Sequence, residues 1–305
     1  MTAIPASSTS PANTASIRKA RWRTSAAANS ASPTASRKRN ASSKPSPSCG
    51  THCEVDRTVP ESILNAEAIQ AVVFDYGNTL VEFGGRQIGA CDTAIANVLE
   101  RLYGPLDREA LRSVRDRDRL APYAGDPPSY RENDLRAITR NMVRVLYGRE
   151  AAEADVDEII RVRLDVFIET TEASEDVRAL LARLRTKRRL GLLSNYPDGH
   201  AIRRSLDKTG LAPYFDAVVV SGDIGYAKPH PLPFATMLEQ LALPPKQVLF
   251  VGDNWLADIQ GAKQAGMPVV HTVQWVPYEV FTRNPGDFEP DAVISRIEEI
   301  ETLLA

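Results

Sequence analysis

Five side chains in this sequence are of types, and at places, where they could act together: Asp75, Ser194, Lys228, Asp253 and Asp258. Asp75 ends the apolar run Ala71-Val-Val-Phe74, and Ser194 ends Leu190-Gly-Leu-Leu193. Asp253 and Asp258 share Gly252-Asp-Asn-Trp-Leu-Ala-Asp258, directly after Val248-Leu-Phe-Val251. Lys228 lies in Gly225-Tyr-Ala-Lys-Pro-His-Pro231. Carboxylates gathered with backbone carbonyls make a hard-oxygen, octahedral site suited to Mg²⁺. A hydroxyl, a lysine and free loop N–H groups suit a phosphoryl dianion. A carboxylate facing such a phosphoryl group can act as nucleophile and pass through an aspartyl-phosphate that water hydrolyses. Each residue also has a plainer reading. Asp after a strand is a common turn or cap residue, Ser194-Asn195 could cap a helix, and Lys228 could be a solvated loop residue.

The elements that must carry these residues follow one grammar. A short apolar run ending in a polar, Gly-containing turn reads as a strand of a parallel sheet buried on both faces. Ala71–Phe74, Leu190–Leu193 and Val248–Val251 are of this kind, with weaker strands at Ala217–Val220, Pro268–Val273 and Ala292–Ile294. Helical patterns at Val177–Lys187, Ala201–Thr209, Pro233–Leu241 and Leu256–Ala265 alternate with them, with Gly210 and Gly266 at expected C-caps. Strand and helix in alternation imply an α/β fold with a doubly wound, Rossmann-like parallel sheet. Ligands in such sheets bind at the carboxyl ends of the strands, where Asp75, Ser194 and Asp253 fall. Residues 85–173 show no strand grammar. Amphipathic segments at Ile88–Tyr103, Arg108–Asp118, Glu132–Tyr147 and Val156–Thr170 predict an inserted α-helical cap overhanging the Asp75 loop. The domain expectation is therefore a core of residues 66–84 and 174–305, a cap of 85–173 and a tail of 1–65.

Composition limits the partners. The chain has 305 residues, a formal net charge of −2, 43% hydrophobic residues and three cysteines. No apolar run reaches the ~18 residues of a membrane span, and three cysteines make no disulfide framework. Residues 1–53 hold eight Lys/Arg and no Asp or Glu, which leaves the rest of the chain at −10. An acidic body argues against nucleic acid as the main partner, and no membrane partner is expected. The Ser/Ala/Pro-rich tail buries too little to order itself. It reads as a transit peptide, a basic arm, or a plain tail or over-extended start, since no Met stands between Met1 and Met142. Cys49, His52 and Cys53 fall one ligand short of a tetrahedral zinc site. Cys91, Trp255, Trp275 and His271 read as packing residues, and Arg115–Arg119 as a solvated charged face.

The blocks VVFDYGNTLV, LGLLSNYPDG, GYAKPHPLPF and VLFVGDNWLADIQGAKQAGM, in this order, resemble the four motifs of the haloacid dehalogenase superfamily over about residues 70–300. The helical insert resembles the cap of its C1-capped, phosphatase-like subgroup. The resemblance implies a Mg²⁺-dependent phosphatase with Asp75 as nucleophile and Ser194, Asn195 and Lys228 binding the phosphoryl group. It implies metal ligation by Asp75, the backbone carbonyl of Gly77 and Asp253, with Asp258 in the outer shell. A small phosphorylated metabolite, a cytoplasmic setting and a monomer or homodimer are the matching expectations.

One position departs from that pattern. Phosphatases of this type carry a second Asp two residues after the nucleophile as general acid/base; here it is Gly77. Carbonyl ligation survives that change, whereas side-chain proton transfer, commonly worth about 10²–10⁴ in rate, does not. A substrate with a good leaving group, a substitute such as His200, His230, Tyr76 or a cap residue, or a weakly catalytic phosphate-binding protein would each account for it. Dehalogenases of the superfamily also lack this Asp, but they use no metal. An anionic cluster such as Asp253 with Asp258 makes sense only around a cation, so phosphate chemistry is favoured over 2-haloacid dehalogenation.

Overall fold

The computed structural model describes residues 64–276 and 283–305. Most of the basic tail, including the Cys49-His52-Cys53 group, lies outside the described residues. Chain order runs β1 (Ala71–Phe74), α1 (Gly85–Tyr103), α2 (Arg108–Leu120), α3 (Leu135–Tyr147), α4 (Glu153–Thr170) and α5 (Glu175–Arg185). It continues through β2 (Arg189–Ser194), α6 (Gly199–Thr209), β3 (Ala217–Val220), α7 (Ser221–Ile224), α8 (Pro231–Leu241) and β4 (Val248–Gly252). A π-helical turn (Trp255–Gln260), α9 (Gly261–Gln264), β5 (Val269–Thr272), β6 (Ala292–Ile294) and α10 (Ile300–Leu303) complete it.

The six strands form one parallel sheet in the order β3-β2-β1-β4-β5-β6. This is the α/β architecture expected from the repeating apolar runs. Every residue of β1 is buried, because helices cover both faces of the sheet. Val72 and Phe74 point to the face covered by α5 and α6, with Leu180 and Ile202. Ala71 and Val73 point to the other, against Phe234 and Met237 of α8. Leu64 and Ile69 already belong to the first of these clusters, so packing begins just ahead of β1.

Helices α1–α4 enclose a third cluster of their own, including Ile95, Leu99, Leu111, Met142 and Ile159. Asp107 and Asp134 cap α2 and α3, each accepting two backbone N–H groups. The cap at Asp134 is why α3 starts at Leu135 and not at Glu132, as its periodicity suggested. Glu132 instead belongs to a strap, residues 121–133, laid against the loop after β3. Ala227 N–H donates to the Tyr130 carbonyl at 2.8 Å, Glu132 N–H to the Gly225 carbonyl at 3.0 Å, and Arg131 stacks over the Tyr226 ring. The Ser221 hydroxyl donates to Glu132 and accepts the Tyr196 N–H. The insertion is thereby fastened to the segment that carries Lys228.

The segment expected as one helix over Leu256–Ala265 is a π-helical turn followed by a short α-helix. Asn254 caps it through the N–H groups of Leu256 and Ala257. Extra width in such a turn is common where a side chain must be aimed at a site, and Asp258 lies within it. Among the described residues no helix is long and apolar enough to cross a membrane.

Candidate active site

Strand register brings the distant motifs together. Phe74 pairs with Leu192 on one side and Val251 on the other, and the Asp75 N–H donates to the Val251 carbonyl at 2.9 Å. Continuing this register sets Asp75 beside Leu193 and Gly252, with Ser194 and Asp253 one residue beyond. Three neighbouring strands thus end in polar side chains at a single edge.

Asp75, Asp253 and Asp258 each present a carboxylate oxygen, all within 4.8 Å of one another, and all three are buried. Lys228 is buried among them with 1% exposure. Its Nζ donates to Asp75 Oδ1 and to the Leu193 carbonyl, each at 2.7 Å, and forms an ion pair with Asp258 Oδ1 at 2.7 Å. The Phe250 ring lies beneath the ammonium, 5.2 Å away. Lys228 is therefore no solvated loop residue.

Asp258 reaches the cluster because Gly252 leaves it room: a Cβ at 252 would stand 2.4 Å from Asp258 Oδ2. That oxygen accepts the Asn254 N–H. The Asp253 carbonyl is held by His271 Nε2 at 2.9 Å. A carbonyl only accepts, so Nε2 carries the proton; burial also holds His271 below the usual histidine range and neutral.

One lysine cannot balance three carboxylates. Burial raises the Asp75 carboxyl to about 6, against the pull of Lys228. Burial, then repulsion from Asp75 and Asp258, pushes Asp253 well above the carboxylate range. The cluster lacks positive charge, its donors are all hard oxygens, and the Gly77 carbonyl accepts no hydrogen bond among the described residues. These features fit a divalent cation.

Ser194 ends β2 with 5% exposure. The Asn195 amide holds the lysine loop: Oδ1 accepts the Lys228 N–H at 2.8 Å, and Nδ2 donates to the Lys228 carbonyl and to the Tyr123 hydroxyl, each at 3.0 Å. Its side chain is thus engaged with protein, while the residue also lines the adjoining cavity. Tyr123, from the strap, carried no sequence signal, being an isolated aromatic in an Ala-Pro-Tyr turn.

Two of the side chains that could replace the missing acid, Tyr76 and His230, are otherwise engaged. The Tyr76 hydroxyl bonds Ser205 at 2.8 Å within the core. His230 accepts the Leu232 N–H and stacks on Tyr226, and His200 is exposed at the start of α6. A Cβ at Gly77 would make only an ordinary contact, 3.4 Å from Phe83 Cβ, so space does not explain the glycine.

A family model for haloacid dehalogenase-like hydrolases matches residues 69–266. The chain belongs to this hydrolase family. It is 27% identical over 237 residues to human N-acylneuraminate-9-phosphatase, covering 77% of this chain and 94% of that one. Against phosphoglycolate phosphatase of Shigella boydii serotype 4 (strain Sb227) it is 29% identical over 220 residues, covering 67% and 81%. Among solved structures, 2-haloacid dehalogenase from Pseudomonas syringae pv. Tomato DC3000 superposes with a TM-score of 0.60 at 24% identity, covering 77% and 98%. At that identity the likeness is one of fold.

Proposed function

We propose that this chain is a Mg²⁺-dependent phosphatase of a small phosphorylated metabolite, with Asp75 as nucleophile and the α1–α4 insertion as a C1-type cap. The observation that carries this reading is the buried Asp75–Asp253–Asp258 cluster, short of positive charge, at the edge where Ser194 and Lys228 also arrive. Two relatives named as phosphatases support it.

Asp75, the Gly77 carbonyl and Asp253 would hold the cation, and Asp258 would orient its surroundings. When bound, Mg²⁺ neutralises the carboxylates and the phosphoryl oxygens, easing approach of one anion to another. Lys228 holds Asp75 Oδ1, which leaves Oδ2 as the attacking atom. The new bond joins Oδ2 to phosphorus as the ester P–O bond breaks, and the departing oxygen takes its proton from water because Gly77 offers none. Water then hydrolyses the acyl phosphate, returning the Asp75 carboxylate and releasing inorganic phosphate. Ser194 and Lys228 bind the phosphoryl oxygens, and Asn195 keeps Lys228 in place.

The test is hydrolysis of p-nitrophenyl phosphate with Mg²⁺, with chelator, and by Asp75→Asn. Activity that needs both the metal and Asp75 supports the reading. Phosphate binding without turnover across a broad ester panel would replace it with a non-catalytic phosphate-binding role, and chelator-resistant halide release with dehalogenation.

A further inference from the structure

A cavity of about 540 Å³ lies between the insertion and the sheet edge. It reaches Asn195 and Asn254, neighbours of Ser194 and Asp253, and its walls include Ile95, Leu111, Ile138 and Met142. Two half-buried arginines line it. Arg115 is spent: its guanidinium donates to Asp92 and to Asp116. Arg163, on α4, makes no hydrogen bond or ion pair to any described residue. The other half-buried arginines, Arg115, Arg136, Arg140, Arg178 and Arg188, all make one. Arg119, also on the wall, is exposed and stays hydrated. A guanidinium drawn partly out of water with no hydrogen bond or ion pair carries a desolvation cost that a distant carboxyl offsets only in part, and an anion arriving in the cavity offsets more of it. Asp118 lines the same space with 9% exposure, and its Oδ2 has no hydrogen-bond partner. Burial raises the Asp118 carboxyl above its ordinary range, against the fields of Arg117 and then Arg163, with no contact between Asp118 and Arg163. Whatever negative charge Asp118 keeps repels an arriving dianion more than a monoanion.

We propose that Arg163 is the specificity-determining anchor for a carboxylate at the far end of the substrate. The substrate class is then a phosphomonoester of an organic acid, with an apolar or mixed middle long enough to run from the sheet edge to α4. The proposal rests on the phosphatase reading, and refines what that site selects.

The experiment compares ω-phosphooxyalkanoates of about four to eight carbons, a length range suited to a cavity of this size, with the matching amides and terminal bisphosphates. Leaving groups are the same throughout, so differences report the distal end. The acid of best length should exceed its amide by about 10- to 100-fold in kcat/KM, mostly through KM, as charge-assisted pairing in a pocket allows. Arg163→Met should erase that preference, Arg163→Lys should restore part of it, and hydrolysis of p-nitrophenyl phosphate should stay within about twofold. Equal use of acid and amide by the wild type, or a preference that survives Arg163→Met, overturns the proposal. A bisphosphate used better than the acid overturns the choice of carboxylate. If p-nitrophenyl phosphate is not hydrolysed at all, the phosphatase reading is what has failed. Calorimetric binding of the acid and amide to wild type and Arg163→Met then reads the anchor without turnover, by the same two criteria.

Discussion

Lys228 and Asp258 meet at 2.7 Å with each side chain only 1% exposed. Neither reaches water, so the stability of each depends on the other and on Asp75. Lys228→Met keeps the volume of the chain and removes the charge. It leaves two carboxylates without their cation, and breaking a buried pair this way costs about 3–5 kcal/mol. We expect a large fall in the denaturation midpoint without metal, partial recovery with Mg²⁺, and activity lower by at least about 10²-fold. An unchanged midpoint in urea would show that the pair contributes nothing.

The raised carboxyls set a pH dependence with a definite sign. An Asp ionises near 3.8 in the unfolded chain, whereas Asp75 holds its proton to about 6 and Asp253 is also raised. Through that window the folded protein binds protons that the unfolded chain has released, so this contribution to stability falls as pH rises. Asp253→Asn removes part of it. The metal-free variant should melt higher than the wild type near about pH 7, with a smaller gap near about pH 5. Mg²⁺ should raise the melting temperature of the wild type and have little effect on the variant. A variant less stable than the wild type at neutral pH contradicts the assignment.

Gly77→Asp should be tolerated, because the new Cβ meets only Phe83 at 3.4 Å. The change supplies a carboxyl that can donate to the departing oxygen. We expect alkyl phosphates to gain about 10–10³-fold in kcat, and p-nitrophenyl phosphate to gain little. A leaving-group dependence that stays the same in wild type and variant would mean that proton transfer is not what the glycine limits.

Gly252→Ala tests how Asp258 is seated. The added methyl falls 2.4 Å from Asp258 Oδ2, which must then move and drop the Asn254 N–H. Loss of about 1–3 kcal/mol and weaker Mg²⁺ binding, read by calorimetry, are expected. Restored binding in Gly252→Ala with Asp258→Asn would place the defect elsewhere.

Much of this site is legible in the sequence, for reasons that can be named. β1, β2 and β4 are buried on both faces and so read as unbroken apolar runs, and a polar residue ending such a run must emerge at the ligand-binding edge. Asp75, Ser194 and Asp253 were found this way. The burial of Lys228 was not legible, because nothing in Gly-Tyr-Ala-Lys-Pro-His-Pro says that the loop folds inward; Asn195, in the loop that follows β2, holds it there. The π-helical turn at Trp255–Gln260 was hidden because its apolar spacing passes for ordinary helix. Tyr123, Glu132, Asp118 and Arg163 were hidden for a different reason. Their parts come from meeting residues distant in sequence, and no local pattern encodes such a meeting. The run Arg115–Arg119, read as a solvated face, has Arg115 locked to Asp92 at the cavity wall.

The strap of residues 121–133 has a consequence for altering what this protein accepts. Pro122, Tyr123, Glu132 and Asn133 of that strap line the cavity, and the strap also holds the loop that carries Lys228: Tyr123 bonds the Lys228 carbonyl, Tyr130 the Ala227 N–H and Glu132 the Gly225 carbonyl. Randomising that stretch to admit new compounds would disturb reactivity together with choice. Ile95, Leu111 and Met142 also belong to the packed cluster of the insertion, so enlarging or trimming them trades stability for shape; Ile138, half-buried on the same wall and outside that cluster, is the position at which the chamber could be reshaped at least cost.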